Sequence, residues 1–259
     1  MKNVMKNPRG FYKYYDALYQ DKDYKGEVTQ ILKWFKEVRK KNSENVLDVG
    51  CGTGSHAVFF AERGIRVTGT DIDEKAIKVA KEKMSAFPKK NHRFFTGDIS
   101  KLDEKRFDLA TSLFHVVSYI MTRKDLERFF TEIGNRLNLE GIFVFDCWNG
   151  LAALIDPPRI KKSNIRYGSK MIDIVTVPKT NLFAQNVDVS NKITVRGDGK
   201  KEIFNFRYGQ KLWTPDFLKD TLKLAGFDVL SVSTWGKPRK KADEKDWKIV
   251  FVCKKKKNR

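Results

Sequence analysis

The sequence contains little cysteine and little histidine, and it has no long apolar run. Its three cysteines, Cys51, Cys147 and Cys253, are odd in number and far apart, which indicates reduced thiols in a cytoplasmic protein rather than a disulfide framework. None of the three histidines has a second ligand at metal-binding spacing, so we predict no metal site. No apolar stretch reaches the roughly 18 residues that a membrane span needs, and residues 1–10 lack the apolar core of a secretory signal.

Acidic residues are also in deficit, because 52 Lys and Arg oppose 32 Asp and Glu and give a formal charge of +20. Such an excess suits an anionic partner, whether nucleic acid, a phosphorylated metabolite or a membrane surface. The other interpretation is a lysine-rich composition that only keeps the protein in solution, since lysines are spread along the whole chain. The charge alone therefore identifies no partner.

Short apolar runs alternate with longer amphipathic stretches between residues 45 and 147. The runs NVLDV, IRVTGTD, HRFFTGD, RFDLATSLF and GIFVFDCW are typical of strands, and most of the segments between them have helical spacing. This alternation predicts an α/β protein with a Rossmann-like, doubly wound sheet. Upstream, apolar residues at Val28, Ile31, Leu32, Phe35 and Val38 predict a helix that packs against the sheet.

The pattern changes between Ile155 and Trp213, where alternating segments rich in β-branched residues predict a small antiparallel β insertion with a hairpin at GDGK. A helix follows, with Thr214 at its N-cap and Gly226 past its end, and the last two strands form an antiparallel pair. We therefore expect a helical lid over residues 1–41 and the core over 42–150. The insertion, over 151–213, would contact substrate or a second subunit, and 214–259 would form the closing helix and strands.

Three glycines, Gly50, Gly52 and Gly54, lie between the end of the first predicted strand and the start of the next helix. Glycine permits positive φ and lets a ligand approach the backbone, and the amides at a helix start can donate to an acceptor. A dinucleotide fingerprint would have its third glycine at position 55, where this chain has Ser55. Asp48, inside the strand, would also disfavour a pyrophosphate. A neutral or cationic ligand with hydroxyls and an amino group suits this loop better.

The segments VLDVGCGTG, VTGTDID and FTGDI occur in order and resemble the first three motifs of class I S-adenosylmethionine-dependent methyltransferases. The resemblance implies S-adenosylmethionine as cofactor, with Asp71 taking the ribose hydroxyls and Asp98 facing the adenine amino group. Asp48 would supply a negative field or orient the loop amides. Because the sulfonium is a cation, this basic chain must keep its lysines away from the pocket. The implied cofactor-binding residues are Tyr15, Tyr24, Asp48, Gly50, Cys51, Gly52, Gly54, Asp71, Ile72, Gly97, Asp98, Ile99, Leu113 and Phe114.

The N-terminal segment YYDALYQDKDYKGEV resembles the opening of N-methyltransferases that act on nucleotide-linked amino sugars, and SLFHVVSYI and FVFDCW agree loosely with the same group. The resemblance implies that Tyr15, Tyr19 and Tyr24 fold over the cofactor, whereas we expect Tyr12 and Tyr14 to serve packing. It also implies methylation of an amine nitrogen by in-line displacement.

The catalytic candidates are Tyr119, His115 and Tyr19. Tyr119 falls where the resembled enzymes carry His or Tyr near the acceptor nitrogen, and His115 is a second candidate base unless it is a structural histidine. Four further residues are candidates for substrate contact. Asp146 and Trp148 suit an amine that becomes cationic, and Arg207 and Lys248 suit a pyrophosphate.

Alternatives stay open for the acceptor. The charge, together with DPPR at residues 156–159, is compatible with an RNA or other nucleic-acid methyltransferase, although that motif belongs after the fourth strand and here follows the fifth. Methylation of oxygen or carbon in another small metabolite is a further alternative, and a non-catalytic cofactor-binding protein is disfavoured by the intact motifs. We expect a monomer or a homodimer.

Overall fold

The structure is a computed structural model that describes residue 8 and residues 10–88, 91–103 and 106–257. The prediction that residues 1–10 form no secretory signal falls almost entirely outside these ranges. Among the described helices, none combines the length and the apolar character needed to cross a membrane.

Twelve strands and seven α-helices make up the described chain. The strands are β1 Asn45–Val49, β2 Arg66–Asp71, β3 His92–Thr96, β4 Phe107–Ser112, β5 Leu137–Trp148, β6 Lys161–Tyr167, β7 Lys170–Asn181, β8 Asn186–Gly197, β9 Lys200–Lys211, β10 Phe227–Thr234, β11 Lys237–Lys241 and β12 Lys248–Lys255. The helices are α1 Tyr12–Tyr15, α2 Tyr24–Arg39, α3 Ser55–Ala61, α4 Glu74–Met84, α5 Arg123–Arg136, α6 Gly150–Ile155 and α7 Pro215–Leu224. Short 3₁₀ turns at Asp16–Tyr19, Ile99–Lys101 and Val116–Tyr119 connect some of them.

The larger sheet has eight strands in the order β11-β10-β12-β5-β4-β1-β2-β3. Strands β1 to β5 pair in parallel, and β12 runs antiparallel to both β5 and β10. The strand order reverses between β1 and β4, and open α/β sheets bind ligands at the carboxyl ends of the strands at such a point. The predicted doubly wound sheet with an antiparallel last strand pair is therefore confirmed.

Helices cover both faces of this sheet and bury two apolar clusters. On one face, α2 places Val28, Ile31 and Phe35 against the sheet, as its spacing predicted, and all three are fully buried. On the other face, α5 and α7 pack against a layer of phenylalanines in which the Phe145 and Phe251 rings stack with centroids 4.8 Å apart. Each fully buried side chain of this size contributes roughly 1.5–3 kcal/mol to folding, so the carboxyl ends of the strands are held on a rigid base.

The predicted insertion forms a separate four-stranded antiparallel sheet in the order β6-β7-β8-β9. Two strands that the sequence pattern separated are one continuous strand, β8, while residues 182–185 form the turn before it rather than part of a strand. The pattern missed β6, whose apolar side chains are only Ile165 and the exposed Tyr167. It also missed α6, whose N-cap Asn149 accepts a hydrogen bond from the Leu151 amide. The basic loop expected between the last two strands contains β11.

The N-terminal segment packs between the two sheets. Phe11 and Tyr14 are buried with Ile193 and Phe204 of the insertion. The 3₁₀ turn that follows brings Asp16 beside the glycine loop, through a hydrogen bond from Thr53 of 2.7 Å. The segment therefore lies over the edge of the larger sheet where the ligand site is expected.

Candidate active site

A cavity of about 380 Å³ lies at the carboxyl ends of β1 to β4. Its wall contains four carboxylates, and none of the described lining residues is a lysine, an arginine or a histidine. In a chain with a formal charge of +20, this separation leaves the cavity with a negative field that suits a cationic ligand. The four carboxylates belong to Asp71, Asp73, Asp98 and Asp125.

The glycine loop forms the floor of this cavity. Gly50, Gly52 and Gly54 all have positive φ, between +54° and +76°, where other residues are strained. A Cβ on Gly50 would lie 2.5 Å from Cγ2 of Val116, and one on Gly54 would lie 3.1 Å from the Cβ of Ala80. A Cβ on Gly52 would meet no protein atom within 4 Å, because Gly52 faces the cavity. The loop is thus a cradle whose middle position is left open for a ligand.

Asp71 ends β2 and lines the cavity. Its two oxygens accept hydrogen bonds of 2.9 Å from the amides of Gly52 and Asp73. Burial raises the pKa of Asp71, although these two amide bonds counteract the rise. The amides fix the carboxylate in place, and its remaining lone pairs can accept hydroxyl groups of a ligand.

Asp98 also lines the cavity, but a cation that the sequence did not reveal contacts it. Arg128, one turn into α5, donates a 3.1 Å hydrogen bond to Oδ2 of Asp98, and the Ser100 amide donates to Oδ1. Burial alone would raise the pKa of Asp98; the Ser100 bonds and the Arg128 charge outweigh it and lower the pKa. We predicted that Asp98 faces the adenine amino group, and the structure adds Arg128 as a second partner of this carboxylate.

Asp48 and Cys51, two predicted cofactor contacts, lie beneath the loop and do not line the cavity. Asp48 is 1% exposed and accepts a 2.9 Å hydrogen bond from Thr111 at Oδ1, while its Oδ2 has no partner. Burial raises the pKa of both the Asp48 carboxyl and the Cys51 thiol. Gly54 is likewise absent from the lining, so the structure does not bring these three residues to the cavity surface.

The N-terminal segment is held on the glycine loop by a polar network. Asp16 accepts a hydrogen bond of 2.7 Å from Thr53 and lies 2.8 Å from Nζ of Lys83 in an ion pair. Lys83 also donates to Thr53 and to Ser55. Tyr15, from the same segment, lines the cavity as predicted, whereas Tyr12 lines it contrary to expectation and donates to Asp73 over 2.8 Å. In the sequence, the only signal for this contact is Asp73, the second acidic residue of the DID segment at residues 71–73.

Tyr24 does not line the cavity, because it lies in a neighbouring polar cluster. Its ring meets the His56 ring edge-on at 4.9 Å, and burial raises its pKa to about 12. Glu27 joins the cluster by accepting from Trp235 over 3.1 Å and by contacting His56 and Lys22. The cluster ties the N-terminal segment to α3, the helix that follows the glycine loop.

The turn after β4 carries two consecutive non-glycine residues at positive φ, Phe114 at 69° and His115 at 64°. Such strain is typical of functional sites. Phe114 lines the cavity, and its ring meets that of Tyr19 edge-on at 4.8 Å. Nδ1 of His115 lies 2.9 Å from Oδ2 of Asp146, and the His115 amide donates to Oδ1. Burial would raise the pKa of Asp146, but the His115 ring and amide lower it, so this carboxylate stays ionised.

Two tyrosines among the catalytic candidates are protonated phenols. Tyr119 lines the cavity, with its ring 5.4 Å from that of Tyr208. Burial raises the pKa of Tyr119 well above its usual value, with the nearby Tyr208 and Tyr19 adding to the rise. Burial raises the pKa of Tyr19 as well, and Tyr19 does not line the cavity. Neither phenol can serve as a base at neutral pH, so we expect Tyr119 to act as a hydrogen-bonding group.

The predicted substrate residues lie at different distances from the site. Trp148 is the last residue of β5, and its ring centroid lies 6.4 Å from that of His115. Lys248, on β12, pairs with Trp148 across the two strands and is exposed. Arg207 is exposed on the face of β9 that points away from the Tyr208 ring. The structure therefore does not bring Arg207 to the cavity, because strand residues alternate between faces.

Two other predictions concern the DPPR segment and metal binding. The DPPR segment follows α6 and precedes β6, and its Arg159 pairs with Asp156 at an exposed position outside the cavity. Within the described ranges, the structure has no group of three or more His, Cys, Asp or Glu that could hold a metal ion.

Comparisons with known proteins agree with this geometry. Residues 46–141 match the model of a methyltransferase domain. A Geobacillus sp. (strain WCH70) protein with a provisional name as a methyltransferase is 27% identical over 246 residues, which cover 93% of this chain and 97% of that protein. The dTDP-4-amino-2,3,4,6-tetradeoxy-D-glucose N,N-dimethyltransferase of Saccharopolyspora spinosa is 26% identical over 137 residues, 52% of this chain and 53% of that enzyme.

Solved structures share the fold. An S-adenosylmethionine-dependent methyltransferase from Clostridium acetobutylicum ATCC 824 has a TM-score of 0.81 at 20% identity, over 95% of this chain and 99% of that one. An S-adenosylmethionine-bound amino pentose methyltransferase from Micromonospora echinaspora has a TM-score of 0.75 at 19% identity, over 98% and 99%. The chain therefore contains a match to a methyltransferase domain over residues 46–141, and its fold is the one that solved S-adenosylmethionine-dependent methyltransferases share.

Proposed function

We propose that this chain transfers a methyl group from S-adenosylmethionine to an amine nitrogen of a small molecule, and that amino sugars are the acceptor class. The observation that carries the proposal is the ionised, buried carboxylate of Asp146 on β5, which lies against His115 on the turn behind the cavity wall. An amine acceptor becomes a cation when it is methylated, and a fixed carboxylate stabilises that charge.

The residues of the cavity fit the cofactor. The open position at Gly52 leaves room for a ligand against the backbone, and Asp71 offers a fixed carboxylate to the ribose hydroxyls. The wall has four carboxylates and, among its described residues, no lysine, arginine or histidine; Arg128 reaches Asp98 from outside the lining, and the remaining acidic charge suits the sulfonium. S-adenosylmethionine, when bound, supplies an electrophilic methyl group on positively charged sulfur.

His115 lies between two lining residues of the cavity, Phe114 and Val116, without lining it itself, and we propose that its imidazole receives the proton that the amine loses. Nδ1 lies 2.9 Å from the Asp146 carboxylate, outside hydrogen-bond geometry, and we propose that a small rotation of the ring lets Nδ1–H donate to it and leaves Nε2 as the acceptor. The same carboxylate stabilises the imidazolium that forms. Tyr119, as a protonated phenol, orients the amine by a hydrogen bond, so its loss should cost less than the loss of His115.

The walls of the cavity contribute by excluding water. Tyr15 and Phe114 line it, and Tyr19 packs edge-on against both of their rings, with centroids 5.2 and 4.8 Å away. A dry cavity strengthens electrostatic interactions with a developing cation and holds the reactants in line.

The choice of an amino sugar rests on similarity. One relative is named as an N,N-dimethyltransferase of a nucleotide-linked amino sugar, and one structure of the same fold is an amino pentose methyltransferase. Both support an amine on a sugar ring as the acceptor.

The experiment is a turnover assay with matched acceptors. Purified protein is incubated with S-adenosylmethionine and with pairs of sugars that differ only in an amino or a hydroxyl group at one carbon, and release of S-adenosylhomocysteine is measured. We expect release with the amino member of a pair alone. Equal release with the hydroxyl member, or methylation of RNA but of no amine, would refute the proposal.

Two variants then separate the roles of the side chains. His115→Gln should lower kcat by about 10²–10⁴-fold, the usual contribution of a general base, and Tyr119→Phe should lower it less. Donor binding by calorimetry should be unchanged in both. A larger loss in Tyr119→Phe than in His115→Gln would reverse the assignment.

A further inference from the structure

A second cavity, of about 420 Å³, lies between the start of α5, the start of α7 and the end of β9. It has the size of a site for a small organic ligand. Met121 lines both this cavity and the first one. The two cavities are therefore adjacent.

The charge of the second cavity is opposite to that of the first. Arg123 and Lys211 line it, and none of its described lining residues is acidic. Neither cation forms an ion pair with a described carboxylate; Lys211 donates instead to the carbonyl of Ala184 over 2.6 Å. Two cations in one concave wall, without a counter-charge, favour an anionic ligand.

The two cations are held by a pair of stacked aromatic rings. The rings of Trp213 and Phe217 lie 5.1 Å apart at an angle of 12°. The Arg123 guanidinium lies 4.7 Å from the Phe217 ring, and Nζ of Lys211 lies 5.5 Å from the Trp213 ring. These cation–π contacts restrict the two head groups without neutralising them.

This wall is connected to the catalytic turn. Nε1 of Trp213 donates a buried 3.1 Å hydrogen bond to the carbonyl of Ile120, which follows Tyr119 directly. The N-terminus of α7, capped by Thr214, also faces the cavity, and the dipole of this ten-residue helix favours negative charge there. The wall of the second cavity is thereby fixed relative to Tyr119.

We propose that the second cavity binds a phosphate or diphosphate group of the methyl acceptor, with Arg123 and Lys211 as its ligands. The proposal rests on the proposed function for the identity of the amine end and extends it to the other end of the same molecule. Acceptor specificity is then divided: Asp146 and His115 select the amine, and the second cavity selects a phosphorylated molecule over a free amino sugar.

Calorimetry tests this without knowledge of the acceptor. The wild-type protein is first saturated with S-adenosylhomocysteine, so that the first cavity is filled, and is then titrated with uridine diphosphate, inorganic pyrophosphate and uridine in separate experiments. The variants are Arg123→Met and Lys211→Met. The matched control is Lys192→Met, which removes one exposed cation from β8 of the insertion, outside both cavity linings.

We expect uridine diphosphate and pyrophosphate to bind with a stoichiometry of one, and uridine not to bind. Each cavity variant should bind uridine diphosphate about tenfold more weakly, because it loses one charge-assisted contact. The control variant should change the affinity by less than twofold. Absence of uridine diphosphate binding, or equal affinity in the cavity variants and the control, would overturn the proposal. Binding of uridine as tight as that of uridine diphosphate would overturn it too.

Failure of the two proposals can be told apart. A protein that binds S-adenosylhomocysteine and methylates amines but ignores uridine diphosphate contradicts only the second cavity. A protein that binds uridine diphosphate through Arg123 and Lys211 but methylates no amine contradicts the proposed function instead.

Discussion

Replacing Gly52 by alanine should separate ligand binding from stability, because this position combines backbone strain with an open space. Its φ is +54°, and an added Cβ would meet no protein atom within 4 Å. The matched control is Gly64→Ala, at the end of α3, where φ is +72° and the space is equally open. Gly52 lines the cavity and Gly64 does not.

The expected magnitudes follow from these geometries. An alanine in the left-handed region costs about 1–2 kcal/mol, so both variants should lose that much stability. Only Gly52→Ala places a methyl group where the ligand approaches the backbone. Overpacking of this kind costs about 1–3 kcal/mol, and S-adenosylmethionine should therefore bind roughly 5- to 150-fold more weakly.

Two assays measure the two effects. Urea unfolding gives the stability of each variant, and calorimetry gives its affinity for S-adenosylhomocysteine. The reasoning fails if Gly52→Ala binds as tightly as Gly64→Ala, because the glycine loop would then not form the ligand surface. Gly50→Ala provides a contrast, since its Cβ would lie 2.5 Å from Val116 and should reduce stability more than either.

Three further predictions concern carboxylates. Asp71→Asn should weaken donor binding by about 10- to 100-fold in calorimetry, because the ribose hydroxyls lose a charged acceptor; unchanged affinity would remove Asp71 from the site. Arg128→Met should raise the pKa of Asp98, measured by NMR titration, since a cation that lowers it is removed; a fall would contradict the pairing. Asp48→Asn should raise Tm at neutral pH. Burial raises the pKa of Asp48 in the folded state, so folding takes up a proton and stability falls as pH rises between the unfolded and the folded pKa. The loss of stability with rising pH should be smaller in Asp48→Asn than in the wild type. A lower Tm of the variant at pH 7 would contradict the conclusion that the buried Asp48 charge destabilises the fold.

Much of the larger sheet could be predicted from the sequence because local pattern and tertiary role agree there. The inner strands of its parallel half, β1, β2 and β4, are buried on both faces, so their sequences do not alternate strictly between apolar and polar residues. The insertion was less predictable. β6 has an exposed and polar sequence, and its strand conformation depends on pairing with β7 rather than on its own residues.

The site divides in the same way. The glycine loop and Asp71 follow from local chemistry at the end of a strand, and the structure places both at the cavity. Contacts between distant segments have no local signal. Arg128 reaches Asp98 across 30 residues, and Trp213 reaches Ile120 across 93. The sequence does not show which face of β9 carries Arg207, because one residue of slip in the strand register would reverse it.

The most direct test of the account is calorimetry of the purified protein with S-adenosylmethionine and S-adenosylhomocysteine. The account predicts that each binds once per chain, and that Gly52→Ala weakens both while Gly64→Ala does not. Absence of binding heat for both compounds over a range of temperatures would contradict the assignment of the acidic cavity and everything inferred from it.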